Sequence, residues 1–256
     1  MAQFVTRSDK DGVRTLTLDR PEQRNALTPQ MQDELIAEFE AITDDLSVRV
    51  MVLTGAGGAF CAGLDLAELR KMGDKSPEEL EADAKRVARM FQALYEVPVP
   101  TIAAVNGHAV AGGTGLATIC DFTYAVEFAQ FGYTEVKIGF VPAVVSAYLT
   151  MQVGEKRARE LLLTGRLFSA EEAMRMGLVT EIAMDLWSHV ERLCELLKNN
   201  SPASLRATKR LVEGQSREWL EKSLADAMKV SAEIRGTADF HEGIAAFFEK
   251  RKPVWE

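Results

Sequence analysis

The chain has 256 residues, 47% hydrophobic and 27% charged, with 18 Gly, 8 Pro and 3 Cys, which excludes a disordered tail, a collagen-like fibre and a disulfide-stapled miniprotein. Thirty Lys and Arg against 38 Asp and Glu give a formal charge of −8, a balance that repels phosphate backbones and argues against nucleic acid as the main partner. Cys61, Cys120 and Cys194 are an odd count without short pairing, which fits a reducing compartment.

A chain this long buries roughly three quarters of its unfolded surface, enough for one large core or a core with a small subdomain. Its first 14 residues mix Arg7, Asp9, Lys10 and Asp11 and hold no apolar signal segment. The longest uncharged stretch, 97–120, is interrupted by Pro98, Pro100, Asn106 and four glycines. It reads as a strand, a glycine-rich loop and a buried helix rather than a membrane span. A cytoplasmic protein is expected.

In chain order, residues 13–18 are β-branched or leucine-rich and close on the turn Asp19-Arg20-Pro21. Thr28-Pro29 offers an N-cap and a proline at the first helical position. Met31, Leu35, Phe39, Ile42 and Leu46 then form one apolar stripe. A buried strand is predicted over 48–53, ended by Gly55-Ala56-Gly57-Gly58. Ser76-Pro77-Glu78-Glu79 opens a helix reaching about Tyr95 through a capping box. A strand over 101–105 leads through Asn106-Gly107-His108 to a helix near 115–119, and short strands follow at 121–126 and 130–131. Ser169-Ala170-Glu171-Glu172 starts a further helix that Gly177 ends. Beyond about Asp185 the periodicity is helical only, with Pro202 at an early helix position and a last helix over 237–250. Strand–helix alternation predicts an α/β or mixed fold with a helical C-terminal extension.

Two glycine-rich loops, 58–66 and 106–116, follow apolar strands and enter helices. Glycine permits close backbone approach, and a helix start leaves N–H groups free for negative charge. Two such groups converging on one point would make an oxyanion hole; tight turns needing positive φ are the plainer reading. Gly113-Thr114-Gly115-Leu116-Ala117-Thr118 resembles a dinucleotide fingerprint, with Glu135 at the distance of a ribose-binding acid. The loop is too long and too far along the chain for that unit. His108, His189 and His241 lack metal-ligand spacing. Cys61 lies in the first loop, where alkylation is conceivable, but no activating base accompanies it. No Gly-x-Ser-x-Gly elbow is present.

Five stretches occur in the order found in one family. They are Asp19-Arg20-Pro21 with Arg24-Asn25-Ala26-Leu27; Phe60-Cys61-Ala62-Gly63-Leu64-Asp65-Leu66; Ala103 to Gly107 through Gly112-Gly113 to Cys120-Asp121; Phe131 to Glu135 with Gly139 and Pro142; and Glu242 to Arg251. Through them the chain resembles the enoyl-CoA hydratase/isomerase (crotonase) family over essentially its whole length. The resemblance implies a spiral of ββα units over 1–200 and a helical oligomerisation region over 201–256 that builds trimers or pairs of trimers. It implies acyl-CoA thioester substrates and no cofactor beyond the coenzyme A of the substrate. By motif position, the N–H groups of Leu64 and Gly112 would hold the thioester oxygen and Glu135 would be the acid/base. Phe131, Tyr133, Val136 and Ile138 could raise its pKa. Arg24 and Ala26 would meet the CoA phosphates and adenine, while Arg24 taken alone reads equally as a solvated surface arginine. Ala62 and Leu66 would flank the adenine-binding turn, Gly63 would be a substrate-binding residue between them, and Asp65 follows the oxyanion residue. Phe247, which could equally be core packing, and Lys250 would lie on a helix reaching a CoA pocket, at times a neighbour's.

Two departures stand out. Gly115 occupies the position where two-glutamate hydratases carry their first glutamate, which places the chain beside single-glutamate members and leaves room for a bulkier or more polar acyl group. After Pro142 the chain reads Ala143-Val144-Val145 where many hydratases have glycines. The expectation is a hydratase of 2-enoyl-CoAs, with a Δ3-Δ2-enoyl-CoA isomerase as rival and an inactive acyl-CoA-binding or RNA-binding protein as a third reading. Leu220, Leu224 and Met228 suit either self-packing or a subunit interface.

Overall fold

The run Val13–Leu18 alternates half-buried and buried residues and pairs antiparallel with Val5–Lys10, from Val5 opposite Leu18 to Lys10 opposite Val13. A computed structural model of the protein describes residues 3–256. The edge strand Val5–Lys10 buries only Val5, and its charged side chains discourage further pairing. The sheet continues in parallel through Val50–Gly55, Thr101–Val105, Phe122–Ala125 and Glu181–Ile182.

Every residue of Val50–Gly55 and Thr101–Val105 is buried, as expected for strands covered on both faces. Met51, Leu53, Ala103 and Val105 face the main core. Their alternates Val50, Val52, Ile102 and Ala104 face a second cluster under the helix Leu186–Lys198. A smaller sheet is formed by Ala59–Cys61, His108–Val110, Gln130–Gly132 and Leu167–Ser169. Three times the chain gives a strand to the large sheet, then one to the small sheet, then a helix. This is a mixed α/β spiral of ββα units.

Helix starts follow local chemistry. Thr28 Oγ1 accepts the Met31 N–H at 3.2 Å before Pro29–Asp44. The reciprocal capping box of Ser76 and Glu79 opens Pro77–Tyr95. Gly177 has φ +81° just past Ala170–Arg175. Leu46 departs from its predicted stripe: it lies beyond the end of Pro29–Asp44 and is exposed.

The C-terminal helices Pro202–Gly214, Arg217–Ile234 and Ala238–Glu249 pack back on the spiral. Leu220 and Leu224 are buried in the main core and Met228 packs against it, so this stripe is used for self-packing. Phe240 and Ile244 join Leu69, Met72 and Phe140 in a third cluster. The last helix approaches the 3-10 turn Glu135–Ile138 so closely that a Cβ at Gly243 would lie 2.3 Å from Ile138 backbone atoms, and one at Gly139 2.2 Å from the Asp239 oxygen. Two missing side chains thus allow backbone to dock on backbone beside Glu135.

Candidate active site

The first glycine-rich loop is held by Asn25, which is buried. Its Nδ2 donates to the carbonyls of Ala56, Ala59 and Phe60 at 3.0, 2.8 and 3.2 Å, and its Oδ1 accepts the Arg20 N–H. Leu27 N–H donates to Gly63 O at 2.8 Å and Asp65 N–H to Leu27 O at 3.1 Å. This bridge uses the backbone on either side of Leu64, whose own N–H meets no acceptor among the described residues. Gly63 has φ +86°, and a Cβ there would lie 2.7 Å from Ala111 Cβ and 3.2 Å from the Gly112 nitrogen. The two loops therefore touch through a glycine.

In the second loop Ala111 takes the uncommon φ +53° immediately before Gly112–Ile119, and its N–H donates to Gly132 O at 2.6 Å. Gly112 is the first helical residue, where no intrahelical acceptor exists, and its N–H has no partner among the described residues.

Both loops open on a cavity of about 1100 Å³. Glu135, the first residue of the turn Glu135–Ile138, lines it and is buried. Its Oε2 has no hydrogen-bond partner among the described residues. Burial disfavours the charged form and pushes the Glu135 carboxyl up to about 7, against a smaller opposing effect of a backbone hydrogen bond.

Arg24, Ala26, Ala62, Leu64, Leu66, Gly112, Glu135, Pro142 and Phe247 all line this one cavity. Phe247 is 52% exposed and edge-on to Phe248, so it belongs to the cavity wall and not to the core. Gly63 acts through its backbone turn. Asp65 does not line the cavity: it caps Leu66–Arg70 by accepting the Ala67 and Glu68 N–H groups and pairs with Arg20 at 3.1 Å. Lys250 is also outside the lining, an exposed left-handed residue ending the last helix.

Gly115 corrects an expectation. It opens no room, because a Cβ there would lie 2.4 Å from Val145 Cγ1 and 3.0 Å from Phe91 Cε1. Val145 and Phe91, with Ala143 and Val144, line the cavity instead. The Cys61 thiol is likewise not a reactive group of the cavity. It is buried outside the lining, its Sγ accepts the Gly63 N–H, and burial pushes it up to about 12.

Sequence reasoning missed two further wall residues on the C-terminal side, Ser231 and Arg235, both buried. Their i,i+4 spacing, which puts side chains on one helix face, was the available signal. His108 also lines the cavity, its Nδ1 accepting the Gln130 N–H at 3.1 Å. Among the described residues, no group of three or more His, Cys, Asp or Glu is placed to hold a metal ion, and no helix is long and apolar enough to cross a membrane.

The family model described as enoyl-CoA hydratase/isomerase matches residues 8–256. A Thermus thermophilus protein provisionally named an enoyl-CoA hydratase is 46% identical over 247 residues, covering 96% of this chain and 98% of its own length. The Escherichia coli protein named 2,3-dehydroadipyl-CoA hydratase is 34% identical over 256 residues, with 99% and 98% covered. Among solved structures, an enoyl-CoA hydratase/isomerase from Pseudoalteromonas atlantica superposes with a TM-score of 0.88 at 31% identity, covering 99% of this chain and 100% of that one. An enoyl-CoA hydratase from Bacillus halodurans gives 0.89 at 25% identity, with 95% and 100% covered. With its spiral of ββα units and its paired glycine loops, the chain belongs to the enoyl-CoA hydratase/isomerase family.

Proposed function

We propose that the protein adds water to 2-enoyl-CoA thioesters, with Glu135 as the single acid/base. The observation that supports this reading is that Leu64 and Gly112, whose main-chain N–H groups have no partner among the described residues, line one cavity with the buried Glu135, whose carboxyl is pushed by burial up to about 7. The Leu64 and Gly112 N–H groups donate to the thioester oxygen. Glu135 carboxylate takes a proton from water as the hydroxyl oxygen bonds to C3. The C2=C3 electron pair moves towards the carbonyl, and the enolate oxygen gains negative charge against the two amides. C2 then takes the proton from Glu135, which restores the carboxylate and completes addition of one water. Each oxyanion donor is worth on the order of 10²–10³ in rate, and a placed acid/base roughly 10²–10⁴.

The rival reading, a Δ3-Δ2-enoyl-CoA isomerase, is favoured by Val145 and Phe91 filling the side of Gly115. One carboxylate is enough to carry a proton between two carbons. Supplying crotonyl-CoA and a 3-enoyl-CoA in parallel separates the two. Formation of 3-hydroxybutyryl-CoA is expected; conversion of the 3-enoyl substrate alone, without any hydroxyacyl product, overturns the hydratase reading. On the same reading the enzyme works in the cytoplasm without an added cofactor, as a trimer or pair of trimers. Exposed Leu211, Val212 and Trp219 on the C-terminal helices support self-association.

A further inference from the structure

We infer that Ser231 and Arg235 form a polar subsite for an oxygen atom carried by the acyl chain beyond the reacting carbons, so that oxygenated enoyl-CoAs are preferred over plain alkyl ones. The inference rests on the acyl-CoA reading above. With the thioester at Leu64 and Gly112 and the coenzyme towards Arg24 and Ala26, the acyl chain is left to the wall built by Leu69, Val87, Phe140, Ser231 and Arg235. A purely alkyl tail needs only an apolar wall, yet this one includes two buried polar side chains from one helical face.

Arg235 is 1% exposed. Its Nη2 pairs with Asp83 Oδ2 at 3.0 Å and its guanidinium lies 5.2 Å from the Phe140 ring centroid. The Asp83 carboxylate is shared, because Oδ1 also faces Arg86 Nη1 at 3.3 Å. Arg86 is also paired with Asp33 Oδ1 at 3.1 Å, so two carboxylates face two guanidiniums, and Arg235 Nη1 donates to Leu80 O at 3.5 Å. Arg235 Nε has no hydrogen-bond partner among the described residues, and the Ser231 hydroxyl makes no hydrogen bond to any of them. A buried donor left unmade is costly, and an oxygen acceptor on the ligand would meet the Ser231 hydroxyl at the cavity wall, beside the unpartnered Arg235 Nε. A neutral hydroxyl and a terminal carboxylate share this chemistry, each bringing an oxygen acceptor.

The test uses 2-enoyl-CoAs of matched length ending in methyl, hydroxyl or carboxylate, compared by kcat/KM, and the dissociation constants of the corresponding saturated thioesters by calorimetry. At least one oxygenated tail is expected to exceed the methyl tail by about tenfold, the scale of one good hydrogen bond to a charged group. Ser231→Ala is expected to bring that ratio several-fold closer to one. The paired variant Asp83→Asn/Arg235→Gln, which leaves no lone buried charge from this pair, is expected to do the same. Should the pair fail to fold, Ser231→Ala carries the test. A methyl tail as good as both oxygenated tails, or a ratio that Ser231→Ala leaves unchanged, overturns the subsite. If no enoyl-CoA is hydrated, the reaction assignment fails, while the ratio of dissociation constants still decides the subsite: tenfold tighter binding of an oxygenated tail sustains it and equal binding overturns it.

Discussion

Val145 fills the space beside Gly115: its Cγ1 lies 2.4 Å from where a Cβ on Gly115 would stand, a separation that atoms do not adopt. The two departures from the family pattern, a glycine in the helix Gly112–Ile119 and valines after Pro142, are thus two halves of one contact. The absence of a side chain at Gly115 is compensated by a larger one at Val145, as close packing requires.

That contact predicts a thermodynamic coupling. Gly115→Ala gains about 1 kcal/mol of helix propensity but forces Val145 and Phe91 aside, at a cost of about 1–3 kcal/mol for overpacking. Net destabilisation is expected in the native background. With Val145→Ala present, the same change becomes neutral or stabilising. A double-mutant cycle from denaturant titrations should give a coupling of about 0.5–3 kcal/mol, and additive behaviour would refute the contact.

On the hydratase reading, Glu135 should make activity and stability depend on pH in opposite directions. Hydration begins from the carboxylate, so kcat/KM should rise through about pH 7 and level off above it. Glu135→Gln should lose at least about 10²-fold above about pH 7 while still binding CoA thioesters. For stability, the folded-state pKa lies above the ordinary value of 4.5, so between the two the folded protein binds more protons than the unfolded chain. Stability therefore falls as pH rises from 4.5 to about 7. Glu135→Gln removes this penalty: it should stabilise at pH 8 by up to roughly 3 kcal/mol, from 1.36 kcal/mol per unit, and lose that advantage at pH 4. Parallel melts at the two pH values check this.

Gly63→Ala should remove activity without replacing any residue of the cavity lining. The left-handed φ of +86° costs a non-glycine residue about 1–2 kcal/mol, and the new Cβ strikes Ala111 at 2.7 Å. Relief of that clash moves the Leu64 or Gly112 amide, so kcat should drop by about 10²-fold or more. By contrast, Leu64→Ala keeps its N–H in place and should retain most of kcat.

All three thiols are buried, and burial pushes Cys61 and Cys120 up to about 12 and Cys194 up to about 11. Reagents that require thiolate should leave the native protein unlabelled at pH 8 and label three cysteines after denaturation, as mass spectrometry would read directly. Rapid native labelling of Cys61 would place it in the cavity after all.

Some of the structure was readable residue by residue. The caps at Thr28, Ser76 and Ser169 depend on groups within one turn of each other, so local sequence carries them. The strands Val50–Gly55 and Thr101–Val105 announce themselves because both faces are buried and every position is apolar or small. The edge strand Val5–Lys10 gave no such signal: with five exposed positions out of six, it is a strand by virtue of its partner. The three-residue strands Ala59–Cys61 and His108–Val110 are too short for any periodicity and exist because neighbouring turns of the spiral align them.

The site divides along the same line. Motif order alone pointed to Leu64, Gly112 and Glu135, which the structure brings into one cavity lining; the roles proposed for them depend on backbone turns and an acid placed at fixed intervals along the chain. What lies beside Gly115, whether Asp65 faces a ligand or a helix start, and that Ser231 and Arg235 share the cavity were settled by contacts between distant segments. Chain chemistry determined which groups this protein possesses and how each turn begins. Burial and close approach across the fold decided which of those groups are left unpartnered, and an unpartnered polar group in a cavity is what a ligand can use.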